Sequence, residues 1–162
     1  MDRVLEGAID IHVHIAPDPL VERRANAIDV ARQAQEMGMQ ALVLKSHQYP
    51  THPVAYTVSQ IVPQFTLIGG IALNVEVGGL NPMAVEATAQ MGGRVVWMPT
   101  HSARADRESK GLTGGIYLLD GYGRLAPEVF AVLKVIKSHD MVLATGHISI
   151  VESMALVQEA RN

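Results

Sequence analysis

Short β-branched runs recur along this chain at intervals of roughly thirty residues, the size of a βαβ unit, and that spacing limits the fold more than any other feature. The runs lie at Ala8–Ile15, Ala41–Lys45, Thr66–Leu73, Arg94–Met98 and Met141–Thr145. They lack clean polar/apolar alternation, which is how strands read when a parallel sheet is covered on both faces. Amphipathic segments with helix punctuation stand between them. Asn26 caps a helix with Ile28, Ala31, Ala34 and Met37 on one face, and Gly38 lies just past its end. Pro53 opens a second helix with Val54, Val58 and Ile61 inward, and Asn81-Pro82 gives a third its cap and first residue. Pro127 starts a fourth, with Phe130, Leu133 and Ile136 at helical spacing. Ser149 and Glu152 form a capping-box pattern for a fifth.

Five β/α units in this order predict an α/β fold, either a doubly wound sheet or part of a (β/α)8 TIM-barrel-like fold. A full barrel takes about 250 residues; this chain has 162 and stops on "VESMALVQEARN", a helix with no strand after it. The reading is therefore an incomplete barrel of five strands, the N-terminal part of a longer one, with residues 1–162 forming a single domain. The one long interruption contains Arg104–Lys110, which reads as a solvated loop, and "GIYLLDGYGRL", which reads as a small hairpin turning at Asp120-Gly121. Open edge strands and bare apolar helix faces, if the chain ends at Asn162, lead to the expectation of a homo-oligomer or of poor solubility.

Composition narrows the function classes. The chain is 48% hydrophobic and 18% charged with a net charge of -3, a soluble globular balance that gives no support to nucleic-acid binding. No run approaches the roughly 18 uninterrupted apolar residues of a membrane span, and "MDRVLEGAID" has no apolar signal core. A cytoplasmic protein acting on a small molecule is expected. There is no cysteine, so any transition metal must be held by His, Asp, Glu or a modified Lys.

The histidines gather where parallel α/β folds place their functional groups, at the carboxyl ends of the strands. His12 and His14 close the first run in "AIDIHVH", His47 follows "ALVLKS", His101 follows "VVWMPT" and His147 follows "MVLATG". Strand alternation would put Asp10, His12 and His14 on one side. A divalent metal, one or two ions, explains such a convergence; imidazole suits zinc first, with manganese or iron as alternatives. The candidate ligands are His12, His14, His47 and His147, with Asp10 placed to fix a ligand's tautomer. Lys45 is an odd charge in an apolar strand, either a side chain reaching out to water or a catalytic amine of lowered pKa or carbamylated ligand. His101 is a further catalytic candidate. His52 and His139 read as structural, and Asp18 in "APDP" either faces the mouth or turns the chain between two prolines.

With "IDIHVH", "LKSH" and "LATGH" in view, the chain resembles the metal-dependent hydrolases of the amidohydrolase superfamily, most closely its small amidohydrolase-like branch. The resemblance spans nearly the whole chain, including "GGLNP" at residues 78–82 and "VVWMPT" at residues 95–100. It implies a (β/α)-barrel with one or two divalent metals at its mouth, His12 and His14 as strand-1 ligands and His147 as the strand-5 ligand. The family's bridging Lys or Glu has no counterpart in "VVWMPT", and Lys45 is the substitute this chain offers. The family's later His and Asp ligands lie beyond the strands present. The implied activity is metal-dependent hydrolysis of an amide, lactone or ester. A His ending the second strand is also similar to phosphoesterases of the polymerase-and-histidinol-phosphatase type, although their acidic ligand has no match near Ala72 and Leu73. A non-catalytic metal-binding domain is the third reading.

Overall fold

The computed structural model describes residues 4–161. The first half runs β1 (Ile9–His14), α1 (Ala27–Glu36), β2 (Ala41–Lys45), α2 (His52–Ser59), β3 (Thr66–Ile68) and β4 (Gly70–Ala72). A 3-10 turn at Val75–Val77 leads into α3 (Pro82–Gln90), β5 (Val95–Trp97), α4 (Arg104–Ser109), α5 (Pro127–Ser138), β6 (Val142–Ala144) and α6 (Ile150–Ala160). All strand pairs are parallel and form two three-stranded sheets, β1-β2-β3 and β4-β5-β6. The chain is thus a mixed α/β protein built of βα units.

β3 and β4 are two halves of one expected strand, divided at Gly69. A Cβ there would stand 2.2 Å from the His52 Cα, so only glycine lets the start of α2 lie on this backbone. The first half pairs with β2 and the second with β5, and β4 still touches β2, which carries the wall from one sheet to the next.

β2 explains the layering. Leu42 and Leu44 face α1 and α2, where Ala31, Ala34, Ala55 and Val58 close over them. Val43 faces the other way and clusters with Ala72, Val95 and Trp97. On the helix side of the second sheet, Ile71 and Val96 pack with Val85 of α3 and Val129 and Val132 of α5. Each fully buried aliphatic side chain contributes about 1.5–3 kcal/mol relative to exposure. Full coverage, expected for every strand, holds for β2, β4 and β5 but not for β1, β3 and β6, where Ile11 of β1 is 70% and Val142 of β6 60% exposed.

The caps form as the sequence predicts. Asn26 accepts from the amides of Ile28 and Asp29, Asn81 from those of Met83 and Ala84, and Ser149 and Glu152 exchange both capping-box bonds. Helix faces needed correction. α5 buries Val129, Val132 and Ile136 while Phe130 is exposed; two helical stripes share Ile136, and contact with the sheet selects the one beginning at Val129. Met37 and Ile61 are exposed because both lie past the ends of α1 and α2. The expected loop at Arg104–Lys110 is largely helix α4, which gains an i,i+4 ion pair between Asp106 and Lys110. The expected hairpin is a wider turn in which Asp120 accepts from the Tyr122 and Arg124 amides, with a single bridge at Leu119 and Leu125 and no strands. No helix among the described residues is long and apolar enough to cross a membrane.

Candidate functional site

A bulge in β1 sets the first two imidazoles. Ile9 and Asp10 pair with Ala41 and Leu42, but Val13 and His14 pair with Leu44 and Lys45, so β1 holds one extra residue between Asp10 and Val13. Partners in a parallel register point to the same face. Asp10 therefore goes with Leu42 toward the helix side, whereas His14 goes with Lys45 to the opposite face. Simple alternation, which grouped Asp10 with His12 and His14, fails at this bulge. The Asp10 carboxylate accepts the backbone N–H of His12 at 2.9 Å, which steadies the bulge.

The imidazoles meet. His12 Nε2 lies 3.2 Å from His14 Nε2 and 3.1 Å from Lys45 Nζ. The His14 ring is 4.7 Å from that of His47, which lies 5.3 Å from His101 and 6.2 Å from His147. Side chains from the ends of β1, β2, β5 and β6 thus share one rim. Below them a cleft of about 240 Å³ is lined by Ile11, His12, Lys45, Trp97, Ala144 and His147, among others. Lys45 does not reach out to water: it is 1% exposed, with Nζ 5.2 Å from the Trp97 ring centre.

Burial governs the electrostatics. It is the largest cause lowering His14 to about 4, with Arg23 and Lys45 adding positive charge nearby, and lowering His47 to about 4, with His14 and Lys45 adding to it. His12 is lowered by burial and then by Lys45. Burial alone brings Lys45 down to about 8. These imidazoles are neutral at pH 7, the form that binds metals.

The rim is held by residues that the sequence reading did not single out. The Asp106 carboxylate accepts the Nδ1–H of His147 at 2.9 Å, so α4 supplies the tautomer-fixing carboxylate expected of Asp10. Burial raises the Asp106 carboxyl, but hydrogen bonds from Lys110 and His147 outweigh it and leave the group below its ordinary range. Glu76 accepts from His101 Nε2 at 2.9 Å, and His101 Nδ1 is buried without a partner. His47 Nδ1 lies 2.7 Å from Thr100 Oγ1, and Thr100 is joined to Asn74. Asn74 and Thr100 follow strand ends, a positional signal that could have found them. Asp106 gave none, because its segment read as loop. His52 sits against Gly69 and Gly92, His139 pairs with Glu86, and Asp18 binds Arg23 and two local amides.

Asn74 is fully buried, and its side chain makes four hydrogen bonds, donating to His47 O and Thr100 Oγ1 and accepting from the Thr100 and Ser102 amides. Asn74→Ala leaves those partners buried without replacements. The expected loss is about 3 kcal/mol of unfolding free energy, read by urea denaturation; a change under about 1 kcal/mol would mean the network is not holding the rim.

The donor set fits a divalent metal as a pair. Two nitrogens at 2.0–2.1 Å from a tetrahedral ion stand about 3.3 Å apart, and the two Nε2 atoms are 3.2 Å apart. Among the described residues, no group of three or more His, Asp or Glu side chains is arranged to hold an ion. His12 and His14 thus stand as a pair at ligand spacing, beside the Lys45 amine.

No curated protein and no solved structure matches this chain. One family model does, over residues 7–162. The chain belongs to that family, DUF6282, a family of unknown function.

Proposed function

We propose that this protein is a metal-dependent hydrolase that cleaves an amide, lactone or ester bond of a small molecule, its five βα units being part of a (β/α)8 barrel. The observation carrying this reading is the close Nε2 pair of His12 and His14, neutral and at the spacing of two ligands on one ion. These two residues would hold zinc, manganese or iron. A divalent ion so held supplies a bound water with a pKa near about 7 and a Lewis acid for the scissile carbonyl.

The chain's own groups do the rest. His147, with Nδ1–H on Asp106, keeps an Nε2 lone pair to take a proton or add to the ligand set. His101, with Nε2–H on Glu76, keeps a buried Nδ1 lone pair in the same role. The Lys45 amine donates to the substrate oxygen from the floor of the cleft. The segment 102–126 forms a wall beside the rim and brings Asp106 to it. Exposed Ile150 and Met154 on α6, with Val142 at the edge of β6, support self-association. A cytoplasmic location goes with this reading.

The test is turnover by the full chain of nitroanilide, lactone and nitrophenyl ester probes. Chelation should abolish it and added zinc or manganese restore it, by at least about tenfold. Turnover of aryl phosphates alone would transfer the site to the phosphoesterase reading. Turnover indifferent to chelation would overturn it.

A further inference from the structure

The hydrogen bonds behind His47 determine which of its nitrogens carries the proton. Asn74 Oδ1 accepts two backbone amides, Thr100 N at 2.8 Å and Ser102 N at 3.3 Å, and a backbone N–H can only donate. Asn74 Nδ2 is therefore the end that faces His47 O at 3.0 Å and Thr100 Oγ1 at 2.7 Å, and it donates to both. Thr100 is fully buried, and among the described residues its hydroxyl has two hydrogen-bonding neighbours, Asn74 Nδ2 and His47 Nδ1. The first is a donor. The hydroxyl proton has one acceptor left, His47 Nδ1, at 2.7 Å. An imidazole that accepts at Nδ1 carries its proton on Nε2.

We propose that His47 is a hydrogen-bond donor through Nε2–H to an oxygen of the bound ligand, with Asn74 and Thr100 as the positioning residues that fix this tautomer, and that it is not a metal ligand. An ion on Nε2 would force the proton onto Nδ1, opposite Thr100. The Thr100 hydroxyl would then lose its only acceptor in a site without water access, a cost of about 1–3 kcal/mol. The arrangement instead divides the rim. His12 and His14 face each other with close Nε2 atoms, while His47 presents an N–H on the same rim, its ring 4.7 Å from that of His14. Such a donor suits an oxygen that bears or develops negative charge, as a carboxylate or the tetrahedral form of a carbonyl does. The tautomer belongs to the chain itself and stands whether or not the hydrolase reading does.

The experiment is two-bond ¹H–¹⁵N correlation NMR of the full chain labelled in histidine, recorded at pH 7 after chelation and again with zinc. The expected spectrum gives His47 a protonated Nε2 and an unprotonated Nδ1, with that pattern kept when zinc is added. Thr100→Val should release the ring to a mixture of both tautomers, and Thr100→Ser should restore the single form. A His47 protonated on Nδ1, loss of its Nε2 proton on zinc addition, or a tautomer unmoved by Thr100→Val would each overturn the proposal. If zinc moves no histidine signal, the hydrolase reading fails while the tautomer result still stands on its own.

Discussion

The His12→Ala, His14→Ala double variant is expected to bind no divalent metal and to show no metal-dependent turnover. The two imidazoles are the ligand pair the proposal rests on, with Nε2 atoms 3.2 Å apart, so removing both deletes the donors already positioned. The fold should survive. His12 is exposed and His14 half-buried, and neither belongs to an apolar core cluster. Substitutions at such positions cost within about 1 kcal/mol, so loss of metal would not be loss of structure. Asp10→Asn is the matched control. The β1 bulge turns Asp10 away from the rim, so metal content should equal that of wild type. Equal metal content in the double variant and wild type would contradict the assignment, as would metal loss in Asp10→Asn alone.

Lys45→Met is expected to stabilise the metal-free protein while removing its activity. The amine is buried with no carboxylate in ion-pair distance among the described residues, and burial lowers it from 10.5 to about 8. A folded-state pKa below the unfolded value means that the unfolded chain binds more protons between those two values. Unfolding free energy then rises with pH across that window. Below about pH 8 the buried cation carries its full penalty; above about pH 10.5 both states are neutral and the penalty is gone. Methionine keeps the unbranched stem without the charge. At pH 7 the variant should gain roughly 2–3 kcal/mol over wild type, and the gap should close as pH rises through 8 to 10.5. Denaturation profiles of the two proteins that run parallel over that range would show that the amine carries no such penalty. A stabilised but inactive variant is the pattern expected where function maintains an unfavourable buried charge.

The order of βα units, the caps at Asn26, Asn81 and Ser149, and the gathering of histidines at strand ends were legible because each depends on local chemistry. The registers were not. An extra residue in β1 reverses the side of Asp10, and the run of apolar residues around it gives no sign of the insertion. The inward face of α5 was ambiguous because two stripes share Ile136, and only packing decides between them. The groups that orient the imidazoles were hidden for a related reason. Asp106, Thr100 and Asn74 reach His147 and His47 across 41, 53 and 27 residues of chain, and no periodicity encodes contacts of that range. Asp10 was assigned the orienting role by sequence proximity, while the structure brings the carboxylate from α4.

X-ray absorption at the zinc edge of the reconstituted full chain tests the central claim most directly. The account predicts zinc retained through desalting, with at least two imidazole nitrogens at about 2.0–2.1 Å that disappear in the double variant. Zinc that washes out, or a shell of oxygens alone, would contradict it.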